Sequence, residues 1–150
     1  MRILAILSVA VFALAANGSG TPSYDLPVEN PPARYRLMIK DNPTAARFEL
    51  TLHSLDRRML CLERTKWPDQ AGHIDWGSQW VKVQSKNRIF PARDWNFGSC
   101  EGEDCTIRLP AQGKLVGFIG YSEFGDPKKI AALPKRRLHF NPFVPVCPEK

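Results

Sequence analysis

The residues of this chain whose types could catalyse hydrolysis or bind a metal are three aspartates and one histidine: Asp69, His73, Asp75 and Asp94. Carboxylates and imidazoles serve as general acids and bases and as metal ligands. Their spacing matches no catalytic motif, and the chain has no Gly-x-Ser-x-Gly, phosphate-binding loop or His-Glu-x-x-His sequence. A solvated polar loop is the preferred interpretation, so we predict no catalytic residue, no metal and no cofactor. A hydrolase that assembles these four side chains is the alternative.

A second group of candidate residues combines aromatic rings with cations. Four tryptophans fall within 29 residues, mostly in sequence typical of loops, and basic side chains flank them. Such rings form either a second layer of the core or an exposed patch of the kind found at interface hot spots and sugar-binding platforms. Because guanidinium groups are interleaved with the rings, an exposed patch favours a protein partner over a glycan. The predicted binding residues are Trp67, Trp76, Trp95, Phe97, Arg64, Lys66 and Arg93.

The chain is moderately basic, with a formal net charge of +6 at pH 7. An excess of basic residues usually forms a solvated surface that keeps a protein soluble, and the alternative is a patch that binds an anionic partner. The basic run lacks the interleaved aromatic residues that favour single-stranded nucleic acid, so nucleic acid is not a predicted partner. The candidate anion patch consists of five cations around a short predicted helix: Lys128, Lys129, Lys135, Arg136 and Arg137.

Residues 1–15 have the features of a secretory signal peptide: one cation, Arg2, an apolar run and a small-x-small ending. The apolar run is shorter than the roughly 20 residues that span a bilayer, so we predict export without a transmembrane segment, with an uncleaved anchor as the alternative. Residues 16–33 are rich in Gly, Pro and Ser, which predicts a flexible leader. Residues 34–150 suit a single domain, located in the periplasm or outside the cell.

The chain has four cysteines, an even number that predicts two disulfides in an exported protein. There is no Cys-x-x-Cys pair, which argues against structural zinc. Three pairings are possible. We favour Cys100 with Cys105, which closes an acidic loop, and Cys61 with Cys147, which ties the C-terminal end to an inner strand.

Alternating apolar and polar residues predict seven or eight short strands at spacings near ten residues. One short helix is predicted at 126–133, where Asp126 suits the N-cap, Pro127 the first turn and Pro134 the stop. A long ordered loop is predicted at 67–80. The predicted strands cover residues 34–40, 46–53, 59–63, 79–84, 88–91 and 137–141, and a hairpin of two strands covers 105–121.

The stretch 105–121 is the best-patterned part of the chain. Its first arm alternates, Pro110 and Gly113 suit a turn, and its second arm is apolar on both faces, with Val116 and Phe118 opposite the other apolar residues. We therefore predict a hairpin whose second arm is a central strand.

The order and length of these elements resemble an immunoglobulin-like domain of the small exported kind, over residues 34–147. The resemblance implies an all-β fold, an antiparallel sandwich of about seven to eight strands with one short helix. The antibody-type pattern of two bridged cysteines and a core tryptophan is not reproduced, because Cys100 lies in a Gly-rich loop, so no functional residue is carried over. A lipocalin-like barrel is the alternative fold.

The function predicted from these features is an exported, non-catalytic binding module, with an inhibitor or immunity-type role toward another extracytoplasmic protein as its most concrete form. The first alternative is an envelope accessory protein that binds polysaccharide or an anionic surface polymer. The second alternative is the loop-built hydrolase.

Overall fold

The computed structural model describes residues 33–94, 100, 102 and 105–148. The predicted signal peptide, nearly all of the predicted leader, and Trp95 and Phe97 lie outside these residues. The described part has a short 3₁₀ helix at Tyr121–Phe124, one α-helix and eight strands. They are β1 (Tyr35–Asn42), β2 (Arg47–Ser54), β3 (Leu60–Glu63), β4 (Val81–Ser85), β5 (Arg88–Pro91), β6 (Thr106–Leu109), β7 (Lys114–Gly120), α1 (Pro127–Ala131) and β8 (Arg137–Phe140).

The strands form three antiparallel sheets, ordered β1-β2-β7, β3-β6 and β5-β4-β8. The all-β class with little helix is therefore confirmed, while the immunoglobulin-like sandwich stays a prediction. β1 and β2 pair antiparallel, and β4 and β5 form a hairpin with β5 at the sheet edge, as the alternation and Pro91 predict.

The core follows the alternation of the sequence. Phe48, Leu50 and Leu52 on β2 are buried, as are Val81 and Val83 on β4, while the residues between them are at least partly exposed. Because successive side chains of a strand point to opposite faces, one face of each of these strands supplies the core.

The predicted hairpin at 105–121 is wrong in its pairing. The two arms belong to different sheets, since β6 pairs with β3 and β7 pairs with β2. β7 also ends its three-stranded sheet instead of lying at the centre, and the backbone of its far edge bonds to a loop. There Ile74 donates to the carbonyl of Phe118, and Phe118 donates to that of Gly72, both at 2.8 Å. The second face of β7 carries an exposed Val116, so its apolar residues do not mark a second buried layer.

The helix α1 has the predicted start and is shorter than predicted. The carboxylate of Asp126 accepts a hydrogen bond from the Lys128 amide at 2.9 Å, and Pro127 occupies the first turn. The helix ends at Ala131: the Leu133 amide donates to the carbonyl of Ile130, three residues back, at 3.1 Å, and Pro134 has no amide hydrogen to continue the pattern. Arg136 binds two carbonyl groups at this end. Its Nη1 donates to the carbonyl oxygens of Ala131 and Leu133, at 2.7 and 3.2 Å.

Both predicted disulfides are confirmed. Cys61 is bonded to Cys147 and Cys100 to Cys105. The first bond joins β3 to the C-terminal segment across 86 residues of sequence. In the described part of the chain, no helix has the length and apolar character needed to cross a membrane.

Candidate binding groove

Two of the predicted binding tryptophans are core residues. Trp67 and Trp76 are only 3% and 6% exposed, and their rings meet edge to face at 6.0 Å between centroids. Phe140 on β8 completes the cluster, 6.1 Å from the Trp67 ring and 5.3 Å from the Trp76 ring. Of the two interpretations left open by the sequence, the structure therefore places these indoles in a second core layer, and their ring faces do not form a surface patch.

The exposed aromatic pair lies outside the predicted binding set, although Trp80 is one of the four clustered tryptophans of the sequence. Trp80 is 43% exposed and Phe143 is 55% exposed. Both residues line two adjoining cavities, of about 490 and 350 Å³. We call these two cavities together the aromatic groove. The larger cavity also contacts Trp67 and Trp76, and the smaller one contacts Tyr35.

The indole of Trp80 is held by the turn at its own N-terminal side. The Trp80 amide donates to the carbonyl of Gly77 at 3.0 Å. Asp94 fixes this turn from outside, because its carboxylate accepts from the amide and the hydroxyl of Ser78, at 2.7 and 2.9 Å. These bonds hold the pKa of Asp94 below its ordinary value. Asp94 is thus a positioning residue for Trp80, and both bonds of its carboxylate come from Ser78.

The ring of Phe143 is held by the C-terminal segment on which it lies. Its neighbours Pro142 and Val144 are buried. The carbonyl of Pro142 accepts from the Tyr35 hydroxyl at 2.7 Å, and that of Val144 accepts from the Ala33 amide at 3.1 Å.

The same segment is also fixed to β3. The Cys61 amide donates to the carbonyl of Pro145 at 3.1 Å, the Cys147 amide donates to that of Met59 at 2.9 Å, and the disulfide joins the two cysteines. The backbone under Phe143 is therefore tied on both sides of the ring, and the groove has little freedom to change shape on binding.

One ion pair lies at the edge of the larger cavity. Lys66 Nζ is 2.7 Å from Glu63 Oε2 and 5.5 Å from the centroid of the Trp76 ring. The hydrogen bond from Lys66 lowers the pKa of Glu63, and a second bond from the Thr65 hydroxyl acts in the same direction. The groove therefore offers one cation and one anion beside aromatic walls, a mixture suited to polar contacts at the rim of an interface.

The buried indole of Trp76 has an unused donor. Its Nε1 is inaccessible to solvent and has no hydrogen-bond partner among the described residues. Buried indole N–H groups usually have one, because an unpaired donor loses its hydration without compensation.

The other predicted binding residues lie elsewhere or outside the described part. Arg64 and Arg93 are exposed but do not line either cavity of the groove. Their amides bond to the carbonyls of Cys105 and Glu123, both at 2.8 Å. Trp95 and Phe97 lie outside the described residues. Of the described members of the predicted set, Lys66, Trp67 and Trp76 line the groove.

Three of the four residues of the alternative hydrolase, Asp69, His73 and Asp75, lie close enough to interact electrostatically, whereas the carboxylate of Asp94 bonds to Ser78. Asp69 closes its own turn, since its carboxylate accepts from the amides of Ala71 and His73 at 2.8 and 2.9 Å. His73 instead meets Glu123, with 3.5 Å between Nε2 and Oε1. Burial and the nearby Glu123 carboxylate raise the pKa of Asp75 to about 6. Among the described residues, no three His, Cys, Asp or Glu side chains are arranged to hold a metal ion.

The predicted anion patch is divided by the fold. Arg136 is an internal residue with a side chain only 11% exposed, because it pairs with Asp41 at 2.9 Å and lies over the ring of Tyr121. Tyr121 in turn donates to Asp41, and burial with this bond raises its pKa to about 12. The other four cations of the patch, Lys128, Lys129, Lys135 and Arg137, are exposed.

Comparison of the chain with protein-family models, with curated proteins and with solved structures found no match. The function is therefore argued from the site alone.

Proposed function

We propose that this protein is an exported, non-catalytic binding module that holds a segment of another extracytoplasmic protein in the aromatic groove. The observation that carries the proposal is the pair of exposed rings, Trp80 and Phe143, set on backbone that is fixed by hydrogen bonds and a disulfide. Interface hot spots are typically aromatic residues that are held in place before the partner arrives, because little side-chain entropy is then lost on binding.

The polar groups of the groove support a polypeptide ligand. Lys66 and Glu63 can exchange their mutual ion pair for contacts with charged side chains at the rim. An inhibitor or immunity-type role is the most concrete form of this function, and the two disulfides support an oxidising compartment.

Polysaccharide is the second candidate ligand, because sugars also stack on exposed aromatic rings. The test compares the exported protein with its Trp80→Ala variant as bait for the envelope fraction. Ile89→Ala is the matched control, since Ile89 is also exposed and lies on β5, away from the groove. The proposal predicts that a partner protein from the envelope fraction binds the unaltered protein and the Ile89→Ala control but does not bind Trp80→Ala. Equal retention by both variants, or retention of polysaccharide alone, contradicts it.

A further inference from the structure

Two lysines outside the aromatic groove have backbone conformations that lysine rarely adopts. Lys86, between β4 and β5, has φ of 52°, and Lys135, just before β8, has φ of 49°. Left-handed backbone is typical of Gly, Asn and Asp in turns, because a Cβ crowds the following carbonyl there. Local strain of this kind is often retained where it serves a site.

The two lysine-bearing turns are joined by a buried hydrogen bond. The hydroxyl of Ser85 donates to the carbonyl of Pro134 at 2.7 Å, and Ser85 is buried. Each of these two residues directly precedes one of the lysines. The bond therefore fixes the separation of the turns, and with it the region that the two ammonium groups share.

Lys86 and Lys135 line one surface hollow of about 240 Å³. Arg137 and Gln84, which face each other across the β4–β8 pairing, and His139 complete its lining. Among the described residues, no carboxylate lines the hollow and the three cations form no ion pair. Within the part of the chain that the structure describes, the hollow thus combines hydrogen-bond donors and positive charge with no neutralising carboxylate.

We propose that this hollow binds a phosphate-type oxyanion, a phosphate monoester carried either by a lipid headgroup or by a free small molecule. Two ammonium groups and a guanidinium fork match an anion with several equivalent oxygens, and charge-assisted hydrogen bonds of this kind are the strong ones. The side-chain amide of Gln84 donates to the Lys86 carbonyl at 3.4 Å, and its second hydrogen can serve as a further donor. This site lies on a different sheet from the aromatic-groove residues Tyr35 and Glu63, so it does not depend on the proposed function.

The direct test is a titration of the isotope-labelled exported protein with phenyl phosphate, followed by amide chemical shifts at low salt. Saturable shifts at Lys86, Lys135 and Arg137 are expected. The variant Lys86→Gln/Lys135→Gln should weaken the affinity at least tenfold. The matched control Lys128→Gln/Lys129→Gln removes the same charge from α1 and should change the affinity less than twofold. Absence of saturable shifts in the unaltered protein, or equal weakening by both variants, overturns the proposal.

A second measurement tests whether the left-handed backbone of the two lysines serves phosphate binding. Lys86→Gly/Lys135→Gly should raise the urea midpoint, because glycine relieves the left-handed backbone, while phosphate binding is lost. A lowered midpoint with unchanged binding contradicts the proposed role.

Vesicles of phosphatidylcholine with and without phosphatidic acid test whether the phosphate belongs to a lipid headgroup. Sedimentation with the phosphatidic acid vesicles, lost in the double Gln variant, indicates a headgroup, and phenyl phosphate binding alone indicates a free monoester.

Discussion

The indoles of Trp76 and Trp80 meet edge to face, with 5.8 Å between ring centroids. One is buried and the other is exposed, so this contact joins the core directly to the surface of the aromatic groove. Pairs of this geometry are stabilised beyond the burial of their area, by about 0.5–1.5 kcal/mol. Replacing either ring should therefore affect the other. Replacement of Trp76 should mainly lower stability, and replacement of Trp80 should mainly weaken binding.

The variant Trp76→Ala should lower the free energy of unfolding by about 3–5 kcal/mol, because it removes a large buried ring and leaves a cavity. Urea denaturation followed by circular dichroism measures this loss. Trp80→Ala is the comparison, and its loss should be much smaller because nearly half of the side chain is already in solvent. Equal losses for the two variants would show that the assignment of core and surface is wrong.

Asp94 offers a way to disturb Trp80 without removing a ring. In Asp94→Ala the Ser78 amide and hydroxyl lose their acceptor, and the turn that holds Trp80 becomes free to move. We expect partner affinity to fall by about tenfold while the near-native fold is kept, because binding must then also order the turn. Asp69→Ala is the matched control, since it removes another turn-closing aspartate away from the groove. If Asp69→Ala weakens binding as strongly, Asp94 does not act through Trp80.

Asp75 predicts a specific dependence of stability on pH. Its folded-state pKa of about 6 lies above the ordinary 3.8, so between these values the folded protein holds a proton that the unfolded chain has released. Stability should therefore fall as pH rises through this window and then stay level. The full shift would correspond to about 3 kcal/mol, and because Asp75 is only half-buried, solvent screening lowers the expected change to about 1 kcal/mol.

The test is urea denaturation of the unaltered protein and of Asp75→Asn at pH 4 and pH 7. The substitution should raise stability at pH 7 by about 1 kcal/mol and change it little at pH 4. Unchanged stability at both pH values would mean that Asp75 is solvated and that its carboxylate is not disfavoured by burial and Glu123.

The two disulfides should differ in their contribution to stability. In the chain-entropy model, the bond between Cys61 and Cys147 closes a loop of 86 residues and contributes about 4–5 kcal/mol, and the short Cys100–Cys105 bond contributes less. Paired Cys→Ser variants and urea denaturation measure both. Loss of the long bond should also weaken partner binding, because it frees the segment that carries Phe143. A larger stability loss from the short bond would contradict this order.

Local patterns predict much of the fold, and they fail where partners are far apart in sequence. The alternation in β1 and β2 identifies the buried side chains because a strand has a period of two. The same alternation does not say which strand lies alongside, so β6 and β7 were paired with each other when each has a distant partner. The exposed Val116 on β7 shows that apolar residues on both faces do not by themselves make a strand central.

The groove was missed for a related reason. Trp76 and Trp80 are the same residue type, four positions apart, and tertiary packing distinguishes them, because Trp76 is buried against Trp67 and Phe140. The signal for Phe143 was present: Pro142, Val144 and Val146 alternate with it and are buried, as in a strand with one solvated face. That alternation, next to a cysteine bonded to β3, predicts that the side chain of Phe143 points into solvent.

The measurement that tests the central claim most directly is the affinity of the captured partner for purified variants of the groove, by isothermal titration. Trp80→Ala and Phe143→Ala should each weaken binding by about 2 kcal/mol or more, as hot-spot residues do, while their urea midpoints stay close to that of the unaltered protein. Ile89→Ala should bind normally. Full affinity in both aromatic variants, with the fold intact, would show that the aromatic groove is not the binding site.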